Sequence, residues 1–217
     1  MNIFDAIVSR KAVVKFKKDS VDDKLIGVML YMATHAHSAG EMQEWNFIVV
    51  KDEEKKKKIY KAALEHPLLK EAPVFIVICA DLNKAGMRFQ KRGEILYSIQ
   101  DTAAATMIIL ITANALGLGA AWIGSFDEEA VKDILYLPDN LRPLAIVPVG
   151  YVEKAEERRE RIPFDNLTWY NIYGKKYDIS YLFQPGARKE VEIKPIGNVI
   201  EDALKKLKRE ISEKMKK

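Results

Sequence analysis

The chain has 217 residues, of which 48% are hydrophobic and 30% are charged, so it is long enough to bury a core and has the composition of a globular protein. A single cysteine, Cys79, excludes a disulfide framework within the chain and favours a reducing compartment. The first residues include an acid, Asp5, and no long apolar run. We therefore expect no signal peptide and a cytoplasmic location.

The net charge of +4 is unevenly distributed. Residues 205–217 contain seven Lys or Arg and two Glu, a net charge of +5, so the other 204 residues carry a net charge of −1. Such a basic tail can contact nucleic acid or an acidic partner, but a solvated helix face is the simpler interpretation. Lys and Glu are abundant and Gln is scarce, which resembles the composition of hyperthermophile proteins.

Capping residues and hydrophobic periodicity predict the elements in chain order. Four helical patterns follow residues that favour the N-cap position, at Asn2, Ser20, Asp52 and Asp127. Apolar or alternating runs predict five strands, at 12–16, 46–51, 74–81, 120–124 and 144–152. The predicted strand 74–81 is apolar at every residue before Asp81, as in strands buried on both faces. The alternation predicts an α+β sandwich with a mixed sheet of four to five strands flanked by helices.

The stretch from Tyr97 to Gly124 contains the longest apolar run of the chain. Between residues 102 and 118 the polar side chains are limited to Thr102, Thr106, Thr112 and Asn114. A helix that is apolar on all faces is buried or crosses a membrane. Glycines then end the pattern and a short apolar run follows, which is typical of a helix, a turn and a buried strand. We predict a central buried helix that starts near Glu94, and no membrane span.

Two local features allow further structural predictions. Residues 82–93 are polar and basic and include two glycines, which predicts a loop. Pro148 lies inside the predicted strand 144–152 and has no N–H to donate. That strand is therefore predicted to lie at a sheet edge or to carry a bulge at Pro148.

Several stretches contain residues suited to a ligand. Arg10 and Lys11 are adjacent cations at the end of a helix, as a phosphate site requires, and residues 158–161 form a second basic cluster. Both clusters can also be ordinary surface charge. The loop 37–45 (HSAGEMQEW) has small residues that allow a flat ligand to approach the backbone, or it is a structural turn. The glycines of 117–124 lack the spacing of a dinucleotide fingerprint. The three histidines and the cysteine form no metal-ligand pattern, so we predict no metal.

Taken in order, these stretches resemble the flavin-dependent nitroreductase family over about residues 3–175. The resemblance rests on RKAVVKF at 10–16, the loop 37–45, the helix and strand at 115–135, and the segment 148–151 followed by Arg159, Arg161 and Pro163. Each motif is weak alone, whereas four in this order and spacing are specific for the fold.

The resemblance implies a homodimeric α+β fold with FMN at the subunit interface and a C-terminal arm that embraces the partner. It also implies ping-pong electron transfer from NAD(P)H to a small-molecule acceptor, with the flavin rather than a side chain carrying the chemistry. By match to the family, Arg10, Lys11, Arg159 and Arg161 would hold the phosphate and ribityl end of FMN. Residues along the ribityl chain and the ring edge would be Ser38, Ala39, Gln43, Ile123, Gly124 and Ser125.

The chain departs from the family's motifs at four positions. Ala12 and Val14 occupy cofactor-binding positions, but Ala12 lacks a hydroxyl and Val14 replaces the cation expected beside flavin N1 and O2. Glu41 and Glu44 replace an Asn donor and a Pro. A lost cation and an added carboxylate near the ring are expected to lower the flavin's reduction potential or weaken its binding.

We predict a flavin-binding domain over residues 1–175 and a C-terminal extension over 176–217, with an amphipathic basic helix that begins at Asn198. The main functional prediction is the FMN-dependent oxidoreductase, without a membrane or nucleic-acid partner. Two alternatives stay open. One is a divergent flavin enzyme of the same fold that performs dehalogenation, flavin fragmentation or deazaflavin chemistry. The other is a non-catalytic flavin-binding dimer whose basic tail contacts nucleic acid.

Overall fold

The computed structural model describes residues 2–157 and 160–177. The chain divides into two compact units, Met1–Glu157 and Arg158–Lys217. Helices described in the first unit are Ile3–Val8 (α1), Asp23–Ala33 (α2), Glu53–Ala62 (α3), Pro67–Glu71 (α4), Leu82–Arg92 (α5), Ser98–Ala115 (α6) and Glu128–Leu135 (α7). Its strands are Ala12–Phe16 (β1), Trp45–Val50 (β2), Val74–Asp81 (β3), Gly119–Ala120 (β4), Leu141–Gly150 (β5) and Val152–Glu156 (β6).

Three of the four predicted N-caps are confirmed. The side chains of Asn2, Asp52 and Asp127 each accept a hydrogen bond from the backbone N–H three residues later, at 2.8–3.0 Å. The prediction of Ser20 as the cap of the second helix was wrong, because Asp22 performs that role and accepts from the Lys24 N–H at 2.8 Å. Serine and aspartate cap helices about equally well, so local preference does not choose between them.

The strands form two antiparallel sheets. One has four strands in the order β2-β3-β5-β4, and the other pairs β1 with β6. The predicted α+β class is confirmed. The pairings within residues 2–157 are all antiparallel, so the mixed character that we predicted is not found there. Alternating strands and helices indicate the order of the elements but not the direction in which each strand returns.

Strand β3 is buried on both faces, as predicted, and separates two cores. Val74, Ile76 and Ile78 pack in a core that includes residues of α2 and α6. Phe75, Val77 and Cys79 pack in the other core, with residues of α3, α4 and α7. Because side chains alternate along a strand, one apolar segment holds helices on both sides of the sheet.

The predicted loop at 82–93 is wrong, because these residues form helix α5, which is kinked at Gln90 (φ 50°), and the beginning of a π-helical turn, Gly93–Tyr97. The Asp81 carboxylate caps α5 and accepts from the Lys84 N–H at 3.1 Å. Gly93 permits close packing, since a Cβ atom there would lie 2.0 Å from the Ala85 carbonyl oxygen. The glycines that indicated a loop therefore allow a turn of helix to fold back closely.

The predicted central helix is confirmed as α6, although it starts at Ser98 rather than near Glu94. With α5 it forms a helical stretch, Leu82–Ala115, which is long and apolar enough to cross a membrane by length and composition alone. Core helices of soluble proteins meet the same criteria, and α6 packs on α2, β3 and β5. Its buried residues follow one face, whereas Ile99 and Met107 on another face are exposed in the single chain.

The predicted strand 120–124 is shorter than expected. Only Gly119 and Ala120 pair regularly with β5, and Ile123 adds an isolated bridge to Ile146. A Cβ atom on Gly119 would lie 2.4 Å from Cγ2 of Val152, so a glycine is needed where β4 crosses the β1–β6 pair.

The prediction that Pro148 marks an edge or a bulge was wrong. Strand β5 lies between β3 and β4, and its irregular pairing with β3 occurs between Ile78 and Cys79. The Pro148 carbonyl accepts from the Ala121 N–H at 3.3 Å, so it faces the side of β5 on which β4 lies. The nitrogen of Pro148, which has no proton to donate, faces the same side, because the N–H and C=O of one residue in an antiparallel strand point to the same neighbour. The proline is tolerated because the regular β4 ladder has already ended there.

Residues 160–177 belong to the second unit and contain a 3-10 turn, Phe164–Leu167, followed by a turn closed by a bridge between Trp169 and Lys176. Within it Tyr170 stacks on Tyr177, with ring centroids 5.4 Å apart. Residues 178–217 lie outside the described residues, and they include the predicted helix that begins at Asn198. The predicted domain boundary at 175 stays a prediction.

Candidate functional site

The loop between α2 and β2 has a tightly constrained backbone. Gly40, Glu41 and Gln43 have φ angles of 54°, 59° and 48°. Left-handed conformations cost free energy for residues with a side chain, and they persist where the surroundings fix them. Ser38 is buried, and its Oγ accepts from the Gln43 N–H at 3.1 Å. We call residues 38–43 the cofactor loop, after the role that the resemblance implies for them.

Two helices hold the cofactor loop from outside it. The Asp101 carboxylate on α6 accepts from the Ala39 N–H at 2.7 Å. From α5, Lys84 Nζ donates to the Gln43 carbonyl at 3.0 Å and Arg88 Nη1 donates to the Gly40 carbonyl at 3.1 Å. Charge-assisted hydrogen bonds of this kind are about twice as strong as neutral ones, so they fix the backbone of the loop.

Glu44 follows the loop and is only 1% exposed. Neither of its carboxyl oxygens has a hydrogen-bond partner among residues 2–157 and 160–177. Burial, with a further contribution from the Asp101 carboxylate, raises the pKa of Glu44 to about 7. The carboxylate that we expected near the ring is therefore enclosed by the protein, and its protonated form is favoured below neutral pH.

The first predicted phosphate-binding pair, Arg10 and Lys11, lies between α1 and β1. Asn114 Nδ2, near the end of α6, donates to the Ala6 carbonyl at 2.9 Å and to Ser9 Oγ at 3.0 Å, which fixes the end of α1. Lys11 is exposed and forms an ion pair with Glu157 at 2.6 Å. Because β1 pairs with β6, Lys11 lies beside the end of β6.

Strand β1 is irregular at the positions where the chain departs from the family. Its pairing with β6 shifts on either side of Lys15. The usual alternation of buried and exposed side chains is therefore broken, and the successive residues Val14 and Lys15 are both exposed. Lys15 Nζ lies 2.8 Å from Oε1 of Glu153. Ala12 is exposed as well. The surface of β1 therefore offers no hydroxyl at position 12 and no cation at position 14.

The segment 123–125 presents backbone donors. Ile123 is buried and forms both hydrogen bonds of its bridge with Ile146, at 2.9 and 3.0 Å. Gly124 and Ser125 follow directly and are exposed. Within the part of the chain that the structure describes, the N–H groups of Gly124 and Ser125 donate no hydrogen bond. The bridge thus holds two adjacent donors open to a ligand.

Helix α6 connects the predicted site segments that lie in the first unit. Asp101 holds the cofactor loop, Asn114 holds the segment before Arg10, and the C-terminal end of α6 leads through a glycine turn to β4 and to 123–125. Arg159 lies outside the described residues, and Arg161 belongs to the second unit. The cofactor-binding roles stay predictions for all twelve residues.

Four supporting residues were not predicted from the sequence: Asp101, Lys84 and Arg88, which hold the cofactor loop, and Asn114, which holds the end of α1. One signal for Asp101 was available, since it is the only acid in the stretch 97–124. An acid at the start of an apolar helix often stabilises the first turn of that helix. The sequence therefore did not show whether Asp101 acts on its own helix or bonds to a distant segment. Lys84 and Arg88 were predicted to lie in a loop, so it was not recognised that one helix carries both of them.

Comparison with known proteins shows the family of the chain. The family model for the nitroreductase family matches residues 7–71 and 64–151. A relative from Archaeoglobus fulgidus, provisionally named an NADH dehydrogenase/NAD(P)H nitroreductase, is 34% identical over 157 residues, which are 70% of this chain and 86% of the relative. The FMN reductase (NADPH) of Bacillus subtilis is 25% identical over 190 residues, with coverage of 82% and 76%.

The fold is shared with solved structures of the same kind. A crystal structure from Parabacteroides distasonis, with the same provisional name as the A. fulgidus protein, is 27% identical and has a TM-score of 0.70. It covers 80% of this chain and 100% of its own. The chain therefore belongs to the nitroreductase family, and it is an oxidoreductase of that type. The resemblance seen in the sequence is confirmed.

The raised pKa of Glu44 predicts a pH-dependent stability. The folded chain holds this proton more tightly than the unfolded chain, so the contribution is complete below about pH 4 and is lost as the pH rises to about 7. We expect the free energy of unfolding of the wild type to fall by about 3 kcal/mol relative to Glu44→Gln over this interval. Urea denaturation of both proteins at a series of pH values measures the difference. A difference that stays constant with pH would contradict the assignment.

Proposed function

We propose that the protein is an FMN-dependent oxidoreductase that takes electrons from NAD(P)H and passes them to a small-molecule acceptor in a ping-pong sequence. Its family membership supports the reaction class. The name of the B. subtilis relative, an NADPH-dependent FMN reductase, supports the choice of donor and flavin. The proposal for the cofactor also has a structural basis in the first unit.

The observation that carries the proposal is the pair of exposed backbone N–H groups at Gly124 and Ser125, which donate to no other described residue. Two fixed donors suit the N5 and O4 acceptors along the edge of a flavin. Gly124 leaves room for a flat ring, because the nearest atom to a Cβ there would be Trp122 Nε1 at 3.9 Å. The residues present therefore fit FMN at this edge.

FMN, when bound, supplies the redox chemistry. The chain contributes positioning: the N–H groups at 124–125 are aimed by the Ile123 bridge, and the cofactor loop is held by Asp101, Lys84 and Arg88. Donors that are already oriented stabilise developing negative charge without reorganisation. Lys11, with Arg10, would bind the phosphate, and in doing so Lys11 would exchange its ion pair with Glu157 for one with the ligand.

We further propose that the protein is a homodimer. Helices α1 and α2 both pack against α6, and all three expose large apolar side chains: Ile3, Phe4, Ile7, Val8, Val28, Tyr31, Met32, Ile99 and Met107. Monomeric proteins rarely leave so large an apolar patch in water. A second copy of this face would cover it, which agrees with the dimer that the resemblance implies.

The absorption spectrum tests the proposed reaction. After incubation with FMN and removal of the unbound flavin by gel filtration, the protein is expected to retain the visible absorption bands of an oxidised flavin. These bands should bleach with NADH or NADPH under anaerobic conditions and return when a quinone or nitro compound is added. Comparing the two donors also determines the coenzyme preference. A protein that retains no flavin after incubation with excess FMN and removal of the unbound flavin would rule out the proposal.

The phosphate role of Lys11 is tested by comparing FMN with riboflavin, which lacks the phosphate. Lys11→Ala should weaken FMN binding by about 10-fold or more, as expected for the loss of a hydrogen bond to a charged group, and leave riboflavin binding unchanged. Lys58→Ala removes an exposed cation on α3 and serves as the matched control. Equal weakening for both ligands would show that Lys11 acts on the fold rather than on the phosphate.

The dimer is tested by placing a charge on the apolar face. Met107→Lys should shift the protein from twice the monomer mass toward the monomer in sedimentation equilibrium, and it should release FMN at the same time, because burying an ammonium group at an apolar interface is costly. The control, Leu64→Lys, lies after α3 on the opposite side of the sheet and is 78% exposed. It should remain dimeric. A wild type that sediments as a monomer would contradict the interface.

A further inference from the structure

The strongest unexplained feature of the first unit is the buried carboxyl group of Glu44. It is enclosed where the chain leaves the cofactor loop, and neither oxygen has a hydrogen-bond partner among the described residues. An ionised carboxylate without a partner in the interior costs several kcal/mol, so such groups take up a proton instead. The protonated acid then needs an acceptor for its O–H group.

Asp101 is the neighbour that can accept it. Asp101 is 6% exposed, and its charge and hydrogen-bonding capacity both act on Glu44. One of its oxygens already accepts from the Ala39 N–H at 2.7 Å. A carboxylate has two oxygens and about four acceptor sites, so it can hold the loop N–H and a carboxylic acid together.

We propose that protonated Glu44 donates a hydrogen bond to the Asp101 carboxylate, and that this acid pair is a positioning device for the cofactor loop. The proton comes from solvent, and no covalent bond changes apart from the O–H bond of Glu44. In this arrangement α6 holds the loop at both ends, through Ala39 at its start and through Glu44 immediately after it. The inference rests on the proposed function in taking this loop as part of the flavin site.

The other charges around Glu44 do not replace this pair. Lys84 on α5 favours the ionised form of Glu44, but its Nζ donates to the Gln43 carbonyl. Asp81 on β3 donates its N–H to the Glu44 carbonyl at 2.8 Å, while its carboxylate bonds with Asn140 and the Lys84 N–H. Arg88 donates to the Gly40 carbonyl. Asp101 is thus the group positioned to share the Glu44 proton.

Loss of the proton should open the loop. Two ionised carboxylates in one enclosed space repel each other, and the repulsion opposes the packing that brings Ala39 to Asp101. Flavin affinity should therefore be highest below neutral pH and fall as the pH rises through about 7. The expected loss between pH 6 and pH 8.5 is about 10-fold or more, the value of one hydrogen bond to a charged group.

The experiment measures FMN dissociation constants from pH 5.5 to 9 on the full chain, by flavin fluorescence. Wild type should show the loss described above. Glu44→Gln, which keeps an uncharged donor at this position, should bind FMN with a dissociation constant that varies less than about 3-fold over this range. Asp101→Asn removes the facing charge and should move the midpoint to lower pH. Glu65→Gln, an exposed control, should retain the wild-type midpoint. The phosphate of FMN titrates in every variant alike and cancels in the comparison.

A second readout does not depend on flavin. Amide hydrogen exchange at Ala39 in the unliganded protein, corrected for the intrinsic effect of pH, should accelerate above pH 7 in the wild type and not in Glu44→Gln. A wild type without pH dependence, or a Glu44→Gln variant that follows the wild type, would overturn the acid pair. If no variant binds FMN at any pH, the proposed function fails, and the exchange measurement still decides whether the pair exists.

Discussion

The packing of α6 against the sheet is the constraint on which the other features of the site depend. Its buried face fills the core between β3 and α2, so its position and rotation are fixed. Asp101 and Asn114 project from this fixed helix, about 20 Å apart along its axis, and each bonds to backbone that carries candidate site residues. An apolar interaction thus sets the geometry of a polar site, because two hydrogen-bonding groups on one rigid helix keep a constant separation.

The cofactor loop shows how the protein balances stability against position. Left-handed conformations at Glu41 and Gln43 and a buried acid at Glu44 all cost free energy of folding. Bonds from α5 and α6 compensate by fixing the loop at three backbone groups. A backbone held in this way keeps its shape when a ligand binds or leaves, so less free energy is spent on ordering it at that moment. Strain concentrated in one loop is consistent with a binding role for that loop.

The sequence predicted best where local chemistry decides the outcome. Asn2, Asp52 and Asp127 cap helices because the bond spans three residues. Strand β3 was recognised because its first seven residues are all apolar, which suits burial on both faces. Helix α5 was missed because its glycines and charges resemble those of a loop. The tertiary structure explains both: Gly93 packs closely against Ala85, and Lys84 bonds to the cofactor loop. The order of the family motifs identified the fold and the candidate residues, since it reflects the whole chain rather than one segment.

By itself the sequence determined the α+β class, most of the elements, the family and the set of candidate cofactor residues. Tertiary structure decided what holds those residues: the bond from Asp101 to Ala39, the bonds from Asn114 at the end of α1, and the enclosure of Glu44 beside Asp101. It also decided that Pro148 could lie in a central strand. The physical reason is distance along the chain. Caps and periodicity act over a few residues, whereas burial and the pairing of a carboxyl group depend on segments that meet only after folding.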